Sequence, residues 1–249
     1  MMSLEVYTTS EALSFKLEEW RQAGMKIGLV PTMGALHEGH LSLIETMSVR
    51  ADKIIVSLFV NPTQFAEGED FDAYPRSTDD DLRKLRSTKA GIVFMPDASE
   101  IYGDAITASL KAGNLAEGLE SETRPHFFSG VVTVVHKLFK LCQPDAAIFG
   151  EKDYQQLLVI KKMVSDHDMR IEILQGTTLR ETDGLAMSSR NAYLNDSQRK
   201  TAINLNKIMR DFCNDYHSAR ELNRLPSLEG EAIRKLQEVG FTKIDYLTV

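Results

Sequence analysis

The chain has 249 residues, and its 29 lysines and arginines against 36 aspartates and glutamates give a formal charge of −7. A hydrophobic content of 43% and a charged content of 26% are ordinary for a globular protein and exclude a disordered chain. The acidic balance argues against a protein that binds nucleic acid or a membrane surface, because either activity needs clustered lysine and arginine. It is compatible with a small basic pocket for an anion.

The first two-thirds of the chain alternate apolar runs, which predict strands, with apolar residues three or four apart, which predict helices. In chain order the predicted elements are strand 27–30, helix 41–50, strand 53–60, a helix opened by Ser77, strand 92–95, helix 131–141, strand 146–149, helix 154–167 and strand 170–174. Such alternation predicts a parallel sheet with helices on both faces, and a ligand site beyond the carboxyl ends of the strands.

From about Arg180 the pattern changes to polar helices. A turn-rich segment at 181–184 precedes helical patterns at 197–216 and 229–238 and a possible strand at 244–249. We therefore predict two domains, a Rossmann-like, doubly wound α/β domain at 1–178 and a smaller α+β domain at 179–249.

The two cysteines, Cys142 and Cys213, are far apart and form no C-x-x-C pair, so neither a disulfide framework nor a cysteine-rich zinc site is expected. Cys142 lies in an apolar run, which predicts a buried, inert thiol. Residues 1–10 lack the pattern of a signal peptide, and no apolar run approaches the roughly 20 residues that span a bilayer. We expect a cytoplasmic protein without a membrane partner.

A loop with two histidines follows strand 27–30 in P-T-M-G-A-L-H-E-G-H, which places His37 and His40 at the start of a helix. The N–H groups and dipole of a helix N-terminus favour an anion such as phosphate, and imidazole N–H groups would add donors. A zinc site of the H-E-x-x-H type fails on the spacing. A surface turn with two solvated histidines is an equal alternative on the spacing alone.

Longer motifs resemble those of the pantoate–β-alanine ligase family, in the nucleotidyltransferase superfamily that carries H-x-G-H. They are P-T-M-G-A-L-H-E-G-H at 31–40, V-N-P-T-Q-F at 60–65, Y-P-R at 74–76, F-G-E-K-D-Y-Q-Q-L at 149–157 and D-G-L-A-M-S-S-R-N at 183–191. The resemblance implies a homodimeric enzyme of coenzyme A biosynthesis. It would join ATP and pantoate into pantoyl adenylate, releasing pyrophosphate, and β-alanine would then displace AMP to give pantothenate.

The resemblance also implies roles for single residues. His40, with His37, would stabilise the α-phosphate transition state, and Lys152 would bridge phosphates. The leaving pyrophosphate would be held by Ser188, Ser189 and Arg190. The other implied ATP contacts are Met33, Gly34, Gly150, Glu151, Asp153, Leu179 and Met187. Gln64 and Gln156 would hydrogen-bond pantoate.

Several of these residues have ordinary alternatives. Asp80 and Asp81 are candidate Mg²⁺ ligands, but acidic residues in the first turn of a helix are more often there because they complement the helix dipole. Lys152 could belong to a solvated charged turn, and Ser188 with Ser189 could cap a helix.

Two features depart from the family pattern. In loop 121–127, Ser121 and His126 replace glycines and Phe127 replaces a histidine, so the loop would be strained or reshaped if either replaced glycine has a positive φ. The sequence ends in a segment that resembles only the start of the family's C-terminal sheet, so we expect an abbreviated C-terminal domain. The alternatives are therefore a different H-x-G-H nucleotidyltransferase, which moves AMP onto a phosphate-bearing acceptor, and a catalytically impaired nucleotide-binding protein.

Overall fold

The computed structural model describes residues 4–219 and 222–248. The chain folds into two compact units, a first unit at Met1–Thr178 and a second unit at Leu179–Val249. Within the described ranges, the buried apolar residues form two clusters in the first unit and one in the second. None of the helices in these ranges is long and apolar enough to cross a membrane.

The first unit is built on one sheet, in which six parallel strands of the described chain have the order β1-β4-β3-β2-β5-β6. They are β1 (Glu5–Tyr7), β2 (Ile27–Thr32), β3 (Lys53–Leu58), β4 (Ile92–Phe94), β5 (Ala146–Gly150) and β6 (Glu172–Gly176). The chain proceeds from β2 through β3 to β4 and then continues on the other side of β2 with β5 and β6. This is a doubly wound sheet whose strand order reverses between β2 and β5, and the predicted α/β fold class is confirmed.

Helices cover both faces of this sheet. They are α1 (Ser10–Gln22), α2 (Glu38–Met47), α3 (Thr78–Leu85), α4 (Ala98–Tyr102), α5 (Glu120–Thr123), α6 (Phe127–Cys142) and α7 (Tyr154–Asp166). The short α4 and α5 lie between β4 and α6, where the sequence pattern predicts no element.

The two central strands are buried on both faces. Leu29 and Ile55 belong to the cluster that includes residues of α1, α6 and α7, whereas Val30, Ile54 and Val56 belong to the cluster of α2 and α3. This division follows because successive side chains of a strand point to opposite faces. Strands packed in this way provide a fixed base for the loops at their carboxyl ends.

The second unit is mainly helical, with α8 (Asp196–Ala202), α9 (Asn204–Ala219) and α10 (Leu225–Glu238). A single β-bridge joins Arg180 to Ala186 before the first of these helices. The strand predicted at 244–249 was wrong for the described part of that segment, because residues 244–248 have no regular secondary structure. No neighbouring strand in the described second unit offers them a hydrogen-bond ladder; Val249 lies outside the described residues.

Candidate active site

The loops after β2 and β5 leave the sheet where the strand order reverses, which is where doubly wound sheets bind ligands. The β2–α2 loop (residues 33–37) leads to His37 and His40, and β5 leads to Lys152. Lys152 is close enough to His40 for its charge to lower the pKa of that imidazole. The fold thus brings together the histidine and lysine motifs.

His37 and His40 cap the N-terminus of α2. The backbone N–H of Gly39 donates to Nδ1 of His37 at 3.1 Å, and the backbone N–H of His37 donates to Nδ1 of His40 at 3.3 Å. The ring centroids are 4.0 Å apart. Since Nδ1 of each ring is an acceptor, the hydrogen of a neutral imidazole is on Nε2. Each histidine therefore carries an Nε2–H donor at a helix N-terminus.

His40 is neutral over the physiological pH range. Burial is the main cause that lowers its pKa to about 3, and the adjoining His37 lowers it further. The positive charges of Lys152 and Lys84 act in the same direction. His40 can therefore stabilise developing negative charge as a fixed hydrogen-bond donor, without supplying a positive charge of its own.

A buried asparagine orients the amide of Gln64. Asn61, 1% exposed, donates from Nδ2 to Oε1 of Gln64 at 3.1 Å and accepts from the hydroxyl of Tyr102 at 2.5 Å. With its oxygen engaged, Gln64 has Nε2 as its donor, and this atom is 3.0 Å from Sδ of Met33. The sequence places Asn61 in the V-N-P-T-Q-F motif at the carboxyl end of a strand, but it does not indicate that Asn61 orients Gln64.

Arg124 connects the altered loop 121–127 to residues 64 and 69 of the first unit. Its guanidinium donates to both oxygens of Glu69 at 2.7 and 2.8 Å and to the backbone carbonyl of Gln64 at 3.1 Å. Neither Ser121 nor His126 has a positive φ. Neither replacement therefore imposes a left-handed backbone on a residue with a Cβ, which is the conformation that would strain it.

The segment from the end of β5 to the first turn of α7 contains the predicted contacts at 150–156. Gly150 ends β5, and Glu151 accepts from the amide of Gln175 at 3.0 Å. Lys152 has an exposed side chain, 3.4 Å from a carboxylate oxygen of Asp153. An exposed pair of this kind contributes about 0–1 kcal/mol, so Lys152 can exchange this partner for a phosphate. Gln156 lies in the first turn of α7.

Asp80 and Asp81 do not fit a Mg²⁺ site. Both carboxylate oxygens of the buried Asp81 accept backbone N–H groups, from Ala35 and Leu36, and Asp80 pairs with two basic side chains of its own helix. In the described parts of the chain, no three histidine, cysteine or acidic side chains are grouped so that they could hold a metal ion.

In the second unit, a tight hairpin at 179–187 precedes the predicted pyrophosphate residues. The backbone N–H of Met187 donates to the carbonyl of Leu179 at 3.0 Å. Arg199 forms a salt bridge with Glu181 at 2.6 Å, which connects helix α8 to the hairpin. Ser188 caps the following turn by accepting the N–H of Arg190. This turn also contains Ser189, so the three predicted residues are adjacent.

Comparison with known proteins identifies the family of the chain. The family model described as pantoate-beta-alanine ligase matches residues 5–249. The pantothenate synthetase of Hyphomonas neptunium is 45% identical over 99% of this chain and 83% of its own, and that of Maricaulis maris is 51% identical over 82% and 71%.

Solved structures agree as well. The pantothenate synthetase of Thermus thermophilus has a TM-score of 0.81 and 36% identity, covering 94% of this chain and 81% of its own. The pantoate-beta-alanine ligase of Francisella tularensis, in complex with beta-gamma ATP and beta-alanine, has a TM-score of 0.82 and 33% identity, covering 96% and 87%. The two-histidine loop, the adjoining lysine loop and this likeness over nearly the whole chain lead to one conclusion: the chain belongs to the pantoate–β-alanine ligase family.

Proposed function

We propose that this chain condenses pantoate with β-alanine, using ATP and releasing AMP and pyrophosphate, through a pantoyl-adenylate intermediate. The observation that carries the proposal is the pair of Nε2–H donors of His37 and His40 at the N-terminus of α2, with His40 neutral and Lys152 nearby. The Francisella relative, which holds an ATP compound and β-alanine, supports it.

In the first half-reaction, a carboxylate oxygen of pantoate attacks the α-phosphorus of ATP, and the bond to pyrophosphate breaks. Negative charge accumulates on the α-phosphate oxygens, so catalysis consists mainly of positioning and electrostatic stabilisation. His40 and His37 donate hydrogen bonds to these oxygens, and Lys152 neutralises adjacent charge. Ser188, Ser189 and Arg190 receive the pyrophosphate; support for this role comes from their shared motif and their adjacency in one capped turn.

The pantoate subsite in this proposal uses the amides of Gln64 and Gln156. A neutral amide suits this substrate, because an arginine would stabilise the pantoate carboxylate in the ground state and make it a poorer nucleophile. In the second half-reaction, the amine of β-alanine attacks the acyl carbon and AMP leaves. Asn61 contributes by keeping Nε2 of Gln64 available as the donor.

The proposal includes further ATP contacts, which follow from the motifs. They are Met33, Gly34, Gly150, Glu151, Asp153, Leu179 and Met187. A Mg²⁺ requirement is also proposed, because the triphosphate of ATP carries several negative charges, but no step depends on Asp80 or Asp81. We further propose a cytoplasmic homodimer, which sedimentation equilibrium would distinguish from a monomer.

The test is a set of incubations with ATP, pantoate and β-alanine in which each is omitted in turn, with AMP and pyrophosphate followed. We expect ATP–pyrophosphate exchange that requires pantoate, and AMP release that requires all three substrates. AMP transfer to a phosphate-bearing acceptor instead of pantoate would favour a different nucleotidyltransferase. Binding of ATP without turnover on any acceptor would contradict both enzymatic interpretations.

A further inference from the structure

We propose that Asp81 is a positioning residue for adenylate formation, because its buried carboxylate fixes the β2–α2 loop that carries His37 and leads to His40. Asp81 lies on α3 with 2% of its surface exposed, and it has no role in the chemistry described above. The inference rests on the proposed function of the two histidines.

Each oxygen of Asp81 accepts one backbone hydrogen bond from the loop. The N–H of Ala35 donates to Oδ2 at 2.8 Å, and the N–H of Leu36 donates to Oδ1 at 2.7 Å. Consecutive N–H groups directed at one anion form a nest, and here the protein supplies the anion itself. These two amides are consequently engaged by Asp81, which leaves phosphate stabilisation to the imidazoles that follow.

The backbone of the loop adopts a conformation that needs such support. Gly34 and Ala35 have φ values of +83° and +49°, and the second is uncommon for a residue with a Cβ. A Cβ on Gly34 would lie only 3.1 Å from Oδ2 of Asp81. The glycine therefore provides both the left-handed turn and the room for the carboxylate that holds Ala35.

Lys84, one turn further along α3 than Asp81, binds the carbonyl of Leu36. Its Nζ donates to the carbonyl of Leu36 at 2.5 Å. Residues three apart share one face of a helix, so Asp81 and Lys84 together hold the N–H and the carbonyl of Leu36. The next residue is His37, the N-cap of α2, and a shift of Leu36 would displace both imidazoles.

The experiment compares the two half-reactions in the variant Asp81→Asn. An asparagine offers one acceptor oxygen and places an NH₂ group against the second backbone N–H, so the loop loses one of its two anchors. We expect kcat of pantoate-dependent pyrophosphate exchange to fall about 10–100-fold, because displacement of a catalytic group by about 1 Å has effects of this size. The KM for ATP and the rate of β-alanine attack on supplied pantoyl adenylate should remain within about threefold.

The matched control is Asp79→Asn, which makes the same change of charge on the exposed side of the same helix and should leave both half-reactions unchanged. An equal loss in both half-reactions of Asp81→Asn, or exchange as fast as in the control, would overturn the inference. If circular dichroism shows that Asp81→Asn does not fold, Lys84→Met provides the test. We expect Lys84→Met to lose less activity than Asp81→Asn would and to lose it only in pyrophosphate exchange. Unchanged exchange in Lys84→Met would contradict the inference. Absence of exchange in the unaltered chain would contradict the proposed function instead.

Discussion

At the scale of single residues, the distinctive feature is a pair of histidines at the N-terminus of α2, of which His40 is kept neutral by its surroundings. The Nδ1 atoms of His37 and His40 are used in capping α2, and burial together with nearby cations keeps His40 uncharged. A donor fixed in this way needs no reorganisation when charge develops on a phosphate, which is the condition for strong electrostatic stabilisation.

The replacement His40→Ala tests this role. We expect pantoate-dependent pyrophosphate exchange to fall by about 10²–10³-fold or more, the usual cost of losing one preorganised donor. The Kd for ATP, measured by titration calorimetry, should change only a few-fold because most ATP contacts remain. His136→Ala, on α6 beside His167 and without an assigned role in the site, is the control. Unchanged exchange in His40→Ala would refute the assignment.

The two cysteines should differ sharply in reactivity. Cys142 is fully buried, and burial raises its pKa to about 12, whereas Cys213 is partly exposed. Because the thiolate is the reactive species, we expect a disulfide reagent to modify one thiol in the native protein and two in denaturant. Rapid modification of Cys142 before unfolding would show that the core around α6 opens readily.

The sequence predicts many of the proposed site residues, but not the residues that hold them. The H-x-G-H spacing and its position before a helix identify His37 and His40 directly. The roles of Asn61 and Asp81 depend on contacts with Tyr102 and with Ala35, which are 41 and 46 residues away along the chain. No local pattern encodes such contacts, so they emerge only when the fold is known.

At the scale of elements, the four central strands were predictable, and of the two edge strands β6 was predicted but β1 was not. β2, β3, β4 and β5 are mostly apolar runs, whereas β1 is three residues long and its single aliphatic residue, Val6, is 45% exposed. A short edge strand buries too little apolar surface to leave a pattern in the sequence. The predicted bounds of β6, 170–174, differ from the observed Glu172–Gly176 for a similar reason, because most residues of this strand are not fully buried and give a weak sequence pattern.

The contact between α6 and the loop after β3 is a place where one element constrains another. Gly130 of α6 approaches Thr63 so closely that a Cβ would lie 2.3 Å from the carbonyl oxygen of Thr63. A backbone carbonyl cannot move away from an added methyl group as readily as the end of a flexible side chain can. We expect Gly130→Ala to destabilise the first unit by about 1–3 kcal/mol and, by shifting Gln64, to raise the KM for pantoate.

The matched control for this change is Gly230→Ala in α10. It adds the same methyl group to a helical glycine that has no neighbour within 4 Å, and it should stabilise its helix by about 0.5–1 kcal/mol. Urea denaturation followed by far-ultraviolet circular dichroism gives both values. Equal stability of the two variants would mean that the loop after β3 moves freely away from α6.

At the scale of the whole molecule, the formal charge of −7 is compatible with anionic substrates, because the few cations that would meet them come from separate segments. Lys152 follows β5, and Arg190 belongs to a capped turn of the second unit. Overall charge therefore argues against broad anionic surfaces as partners but says little about one small site.

The neutral state of His40 has a consequence for the acid stability of the first unit. Its pKa is about 3 in the folded protein against an ordinary 6.5, so the unfolded chain binds the proton more readily. The stability associated with this residue is complete above pH 6.5 and is lost as the pH falls toward 3. Between pH 7 and pH 5 the free energy of unfolding should drop by about 2 kcal/mol from this residue alone.

The single tryptophan makes this drop measurable, since Trp20 is buried in the first unit and its fluorescence reports on that unit. Urea titrations at pH 7 and pH 5 should show the loss in the unaltered chain and a loss smaller by about 2 kcal/mol in His40→Gln, which has no titrating imidazole at this position. The comparison separates His40 from the carboxylates, because both proteins carry the same acidic residues. Identical pH dependence in the two proteins would mean that His40 has the same pKa in the folded and unfolded states. The assignment of His40 as a neutral donor in the site would then be wrong.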